Sequence, residues 1–153
     1  MILEPFDGHW PTVAPDAEVA ETAVLVGKVT VAARARIGHG VVLRADIQRI
    51  RIGEGAWVQE NVVMHTADDA DTVVGPEAVV EAGAVLEGCM VGRGARIGAR
   101  AAVLNYATVG DGARVVAGAV VAERQQVPAG ATVAGAPARL LDEDPAARAG
   151  LDG

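Results

Sequence analysis

Aliphatic residues recur at every sixth position through the C-terminal half of this chain: Val91, Ile97, Val103, Val109, Val115, Val121, Val127 and Val133. Four positions after most of them stands an alanine, at Ala95, Ala101, Ala107, Ala113, Ala119 and Ala131. This period matches neither the amphipathic helix nor the alternating strand, so it describes a larger repeating unit. The unit that fits is a coil of three short flat sides, with one bulky aliphatic pointing inward per side and a small residue near each turn. Stacked coils bury the aliphatics in continuous columns, and each short strand hydrogen-bonds to the strands above and below. The pattern predicts an all-β fold, a parallel β-helix of hexapeptide repeats.

The same beat runs through the N-terminal half at Val13, Val19, Leu25, Val31, Ile37 and Leu43. It jumps to Ile52, resumes at Val58 and Met64, and jumps again to Val74, before Val80, Leu86 and a shortened step to Val91. These positions amount to between six and seven coils. A regular coil must eject surplus residues as loops, and the two jumps place loops within residues 44–51 and 65–72. The predicted organisation is a lead-in over 1–12, the repeat over 13–134 and a tail over 135–153. Pro137 is expected to stop the strand ladder, and Asp144 and Pro145 suit the start of a short helix over 144–149.

Composition fits a narrow core. Apolar residues make up 51% of the chain and aromatics only 3%, so the interior must be built from Val, Ile, Leu and Ala. The net charge of −7 excludes nothing outright, but no Lys/Arg run offers a phosphate track, so neither nucleic acid nor an anionic membrane is an expected partner. Cys89 is the single cysteine, which rules out an intrachain disulfide and suits a reducing compartment. The opening residues carry an acid early and no long apolar stretch, so the expected location is cytoplasmic. The second loop, with Asp68, Asp69 and Asp71, reads as a solvated surface segment, since the glycine and glutamate of a calcium loop are missing.

Several segments resemble the gamma-class carbonic anhydrase family. Leu43-Arg44-Ala45-Asp46 with Ile50-Arg51-Ile52-Gly53 is similar to the family's "LRGD…IRIG", and Val58-Gln59-Glu60-Asn61-Val62-Val63-Met64-His65 to its "IQD-NVVVH". Residues 79–89, ending Leu86-Glu87-Gly88-Cys89, sit where the family reads "TIGH-x-A-x-LHGC", and the glycine- and proline-bearing tail matches as well. The resemblance implies a left-handed β-helix and a homotrimer with active sites between subunits. In the family three histidines, one from the adjacent subunit, bind a metal, usually zinc, whose hydroxide attacks carbon dioxide.

This chain departs from that pattern where it matters. His65 occupies the first ligand position, but the second is Ala82 and the third Glu87. Catalytic zinc takes three protein ligands, and Glu81, beside the vacant position, should point to the opposite face of its strand. The only other histidines are His9 and His39. No cofactor is therefore expected; zinc, if it bound, would use His65 and Glu87.

The candidate catalytic residues are His65, Glu87, Arg44 and Gln59, with Asp46, Glu60, Glu81, Asn105 and Tyr106 as substrate-binding or interface residues. A carboxylate at the buried Glu87 position needs a partner, His65 being the nearest in the motif, or a role as general acid/base. Arg44 and Asp46 suit an ion pair at a subunit interface, and the Arg44 fork suits a substrate carboxylate. Cys89 is expected to pack inside the coil, and His39 before Gly40 to mark a turn.

Four functions stay open on the sequence. The first is a gamma carbonic anhydrase-like homotrimer with a degenerate metal site, repurposed as a lyase, isomerase or hydrolase for acid/base chemistry on a small molecule. The second is a carbonic anhydrase with a glutamate-substituted site. The third is a trimeric scaffold without catalysis, and the fourth a hexapeptide acyltransferase using an acyl-CoA.

Overall fold

A side of six residues leaves room for only a short strand before the chain must turn. Most strands are accordingly two or three residues long, among them Trp57–Val58, Val63–His65, Val79–Val80 and Val85–Glu87. Strands this short persist because each pairs with a coil on either side. The computed structural model describes residues 1–141, and they form a left-handed parallel β-helix of about seven coils. No helix among the described residues is long and apolar enough to cross a membrane. The helix expected over 144–149 lies outside the described residues.

The six-residue series becomes three columns. On the first side Leu3, Leu25, Leu43, Met64, Leu86, Val103 and Val121 are register partners from coil to coil. The second side stacks Val13, Val31, Ile52, Val74, Val91, Val109 and Val127. The third stacks Val19, Ile37, Val58, Val80, Ile97, Val115 and Val133. Alanines two positions before an inward aliphatic, such as Ala95, Ala101, Ala107, Ala113 and Ala119, are themselves buried. Alternation along the strand turns both residues inward, and in the wider coils the same position holds Val29, Val41, Ile50 and Val62, also fully buried.

The two jumps in the beat and its shortened step all fall at one corner, where the first side turns into the second. The first jump is no loop. Residues Val42–Ile52 run as one extended strand, whose register shifts from Gly27↔Ala45 to Val29↔Ile50. Residues 46–49 thus bulge opposite the single residue Lys28. They stay extended because their amides find partners beyond the ladder: Gln48 N–H donates to Thr66 Oγ1 (3.1 Å) and Arg49 N–H to Asp71 Oδ1 (2.9 Å). The second jump, over 66–71, is a true excursion closed by Ala67 N–H donating to the Ala70 carbonyl. At the far end Arg139–Leu140 turns back antiparallel on Thr132–Ala134 and covers the last third-side strand.

Outward positions differ between sides. On the first, the positions just before each inward residue are Ile2, Val24, Val42, Val63, Val85, Ala102 and Val120, all aliphatic. On the third they include Glu18, Arg36, Arg96, Arg114 and Thr132. The first side therefore presents an apolar strip that no part of the described chain covers.

Leu86 is fully buried in the middle of the first column. Leu86→Ala should cost about 2–5 kcal/mol of unfolding free energy in urea titration, because neighbouring coils cannot collapse into the gap.

Candidate functional site

Because Leu43, Met64 and Leu86 point inward, the residues that follow them, Arg44, His65 and Glu87, point outward along one column. His65 and Glu87 are Cα register partners. Asp46 opens the bulge and turns back onto this column. Its Oδ1 lies 2.9 Å from His65 Nε2 and its Oδ2 3.7 Å from Arg44 Nη1. The His65 and Asp46 side chains are mostly covered, at 23% and 19% exposure, whereas Arg44 is largely in solvent.

Burial acts to raise the Asp46 carboxyl, but the His65 hydrogen bond, the Arg44 charge and a backbone hydrogen bond together outweigh it and hold the group below its ordinary value. An ionised carboxylate only accepts, so His65 Nε2 carries the donated proton, and in the neutral ring Nδ1 is left as the basic nitrogen. A carboxylate that fixes the tautomer of an imidazole is the orienting element of a general base.

The corner is braced from behind by residues that sequence reasoning missed. Thr72, fully buried, donates its hydroxyl to the His65 carbonyl and accepts the Gly88 amide at 2.8 Å. One side chain thereby ties the end of the His65 strand to the residue after Glu87. A signal was available, since Thr72 stands two positions before inward Val74, where the coils on either side place the apolar Ile50 and Cys89. Gly88 has φ 54°, and a Cβ there would lie 2.5 Å from the Ala67 Cβ, so the excursion packs directly on its bare backbone.

Asn105 and Tyr106 occupy the same corner one coil beyond Gly88, Tyr106 N–H donating to the Gly88 carbonyl at 2.8 Å. The Tyr106 hydroxyl donates to Asp69, which anchors the acidic excursion, and the Arg124 guanidinium stacks 4.4 Å from the Tyr106 ring centroid. The Asp69 hydrogen bond raises the Tyr106 hydroxyl above its usual value. Asn105 Oδ1 is buried without a hydrogen-bond partner among the described residues. Asp71 accepts from Arg49 and lies 3.9 Å from Arg51 Nη2, so two of the three loop carboxylates are engaged structurally. Cys89 is buried in the core and burial pushes its thiol up to about 12, which leaves it protonated and unsuited as a nucleophile.

Gln59, Glu60 and Glu81 are not brought to this corner. Gln59 and Glu60 follow Val58, and Glu81 and Ala82 follow Val80, on the rung directly beyond it. All four sit where the third side turns into the first, with the breadth of the first side between them and His65. Glu81 accepts from Arg96 Nε at 3.4 Å on the third side. His39 lies at this corner too, its Nδ1 2.8 Å from Thr22 Oγ1. One chain thus carries its candidate residues in two groups on opposite edges of its apolar strip.

The same geometry bears on the metal that the resemblance implies. Positions 65 and 87 share one edge and position 82 occupies the other, so a site joining them draws on two copies. The donors at hand are His65, whose Nε2 is engaged by Asp46, and Glu87; Ala82 offers none. This donor set does not fit a three-ligand catalytic zinc.

Known proteins agree on the fold. No family model matches the chain. The carnitine operon protein CaiE of Escherichia coli K12 is 39% identical over 102 residues, 67% of this chain and 52% of its own; the chain spans about half the length of the curated relatives it matches. A hexapeptide transferase family protein of Anaplasma phagocytophilum is 33% identical with a TM-score of 0.89, covering 92% of this chain and 83% of that one. A Bacillus cereus structure, 24% identical with a TM-score of 0.91, covers 99% of this chain and 88% of its own and shares the architecture.

Since Asp46 titrates below its unfolded value, its contribution to stability is full above about pH 4 and disappears as pH falls through the depressed folded value. The stability difference between the native chain and Asp46→Asn, read by denaturant titration at successive pH values, should be level near neutrality and shrink toward zero in acid.

Proposed function

This chain belongs to the hexapeptide transferase family, and on that premise we propose that it works as a homotrimer performing metal-independent acid/base chemistry on a small molecule between subunits. The observation that carries the reading is the 2.9 Å His65–Asp46 hydrogen bond with Glu87 in register beside it. His65 Nδ1 serves as general base, Asp46 fixes the ring, and Glu87 is the second proton carrier. Arg44, at the solvent-facing end of the column, orients an anionic group. A resident zinc is not part of this reading, because the donors do not make up its ligand set.

The uncovered aliphatic strip supports the trimer. Val63, Val85 and Ile2 are 41%, 37% and 47% exposed in the single chain, and contiguous exposed apolar surface of this kind marks a protein interface. If three copies pack these strips around a common axis, the edge bearing Gln59, Glu60 and Ala82 in one copy meets the edge bearing His65, Asp46 and Glu87 in the next. The residues that a single chain separates are then reunited across the interface, which is the arrangement the carbonic anhydrase resemblance implies.

A second reading, acyl transfer from an acyl-CoA, is supported by the family name of the Anaplasma relative. His39 would be its base, but that imidazole is exposed, and among the described residues its only hydrogen bond is to Thr22, with no carboxylate orienting it. Saturable stabilisation by CoA in thermal unfolding would favour this reading.

Light scattering should give the mass of three chains, and metal analysis of protein purified with added zinc should give far less than one metal per chain. Turnover across a panel of small thioesters and hydroxy acids should survive chelator. It should fall about 10²-fold or more in Glu87→Gln and in His65→Gln with the trimer retained, the scale of a lost general acid or base. Stoichiometric zinc with chelator-sensitive carbon dioxide hydration, or unchanged rates in both variants, would overturn the proposal.

A further inference from the structure

Arg96 and Arg114 are Cα partners in the third-side ladder. Paired strands run about 4.8 Å apart, so two guanidinium-bearing side chains leave the same face one rung from each other. Like charges directly opposite are destabilising, and a pair that persists calls for countercharge. The carboxylate at hand is Glu81, which accepts from Arg96 Nε at 3.4 Å. Arg114 pairs with no acidic side chain among the described residues.

The two arginines border a groove of about 350 Å³, lined also by Glu81, Gly98, Val116 and Ala117. Its back wall is nearly bare backbone: a Cβ on Gly98 would lie 2.4 Å from the Ala117 nitrogen, so the next corner closes in tightly there. The groove is thus shallow, walled by small residues and positively charged at its mouth, on a chain whose overall charge is −7.

We infer that this groove is an oxyanion site, in which Arg114, with Arg96 beside it, holds a carboxylate or phosphate group of a small molecule. The planar guanidinium fork presents paired donors matched to either group, and Glu81 fixes the orientation of Arg96.

The position of the groove says what the anion is for, a step that rests on the trimeric reading above. It opens at the edge carrying Glu81 and Ala82, and Arg96 belongs to the same coil as Glu87, following it by the second side. Rotation about an axis parallel to the coil keeps these heights, so the groove of one copy flanks the His65–Asp46–Glu87 column of the next. The substrate is then a molecule with a carboxylate or phosphate at one end and the proton-exchanging group at the other.

The test uses the full chain, titrated separately with inorganic phosphate and with acetate while amide chemical shifts are followed at constant ionic strength. Saturable shifts centred on Gly98, Val116 and Ala117 are expected with at least one probe, the more tightly bound identifying the group. Arg114→Gln should weaken that binding at least about tenfold, as loss of a charge-assisted contact does, whereas Arg34→Gln, on another edge, should leave it unchanged. Equal responses in native protein and Arg114→Gln, or no saturable shift with either probe, would overturn the site. Binding lost in Arg114→Gln but carried by a protein that light scattering finds monomeric would support the site and overturn the trimeric reading. A trimer whose response ignores Arg114→Gln would overturn the site and leave that reading standing.

Discussion

Everything in this molecule follows from the ladder between successive coils. A strand of two residues has too little to hold itself straight. It is aligned by backbone hydrogen bonds to its counterparts about 4.8 Å above and below and by the aliphatic beneath it in the column. Once Leu43, Met64 and Leu86 are stacked, their neighbours are stacked as well. Arg44, His65 and Glu87 are not drawn together by attraction between their side chains. They are delivered to one line by the packing of the residues before them. The same delivery puts Arg96 on Arg114, a juxtaposition that no pairwise preference would favour.

Against so regular a background, departures carry the information. The bulge at 46–49 and the excursion at 66–71 fall at a single corner, and each fastens the other through Gln48–Thr66 and Arg49–Asp71. The corner is widened in one coil and braced by the next, which places Asp46 where it reaches His65. Thr72 completes the brace at the cost of a hydroxyl in the core, tolerated because that hydroxyl both donates and accepts. A polar group fully satisfied in such a position rigidifies its surroundings, and here the surroundings are the two residues flanking the candidate site.

The fold was legible because its determinant is one-dimensional. Spacing alone assigns the series from Val13 to Val133 to its three columns, while the second inward set of Val29, Val41, Ile50 and Val62 lies outside that beat. Leu3, one side earlier in the same coil as Val13, also escaped, since the nine residues between them break the beat. The site was less legible for a reason of the same kind. Sequence order shows that His65 and Glu87 are a coil apart, but not that a bulge would swing Asp46 onto the imidazole, because the bulge stays extended and leaves no turn signature. Gln59, Glu60 and Glu81 looked like companions of His65 through the resemblance, while the register sets them on the opposite edge. Thr72 could have been found as a polar residue at an inward position that the adjacent coils give to Ile50 and Cys89.

Scaffold and chemistry are separable in this architecture. Columns and corners depend on inward residues, whereas the site depends on outward ones. A substitution such as alanine at position 82 or glutamate at position 87 therefore alters the donors without disturbing the stack. That independence lets a backbone pattern that resembles a metal enzyme's carry a different set of outward side chains. It also locates the remaining constraint. With Asp46 held below its ordinary value between Arg44 and His65, the imidazole keeps one tautomer whatever occupies the neighbouring positions.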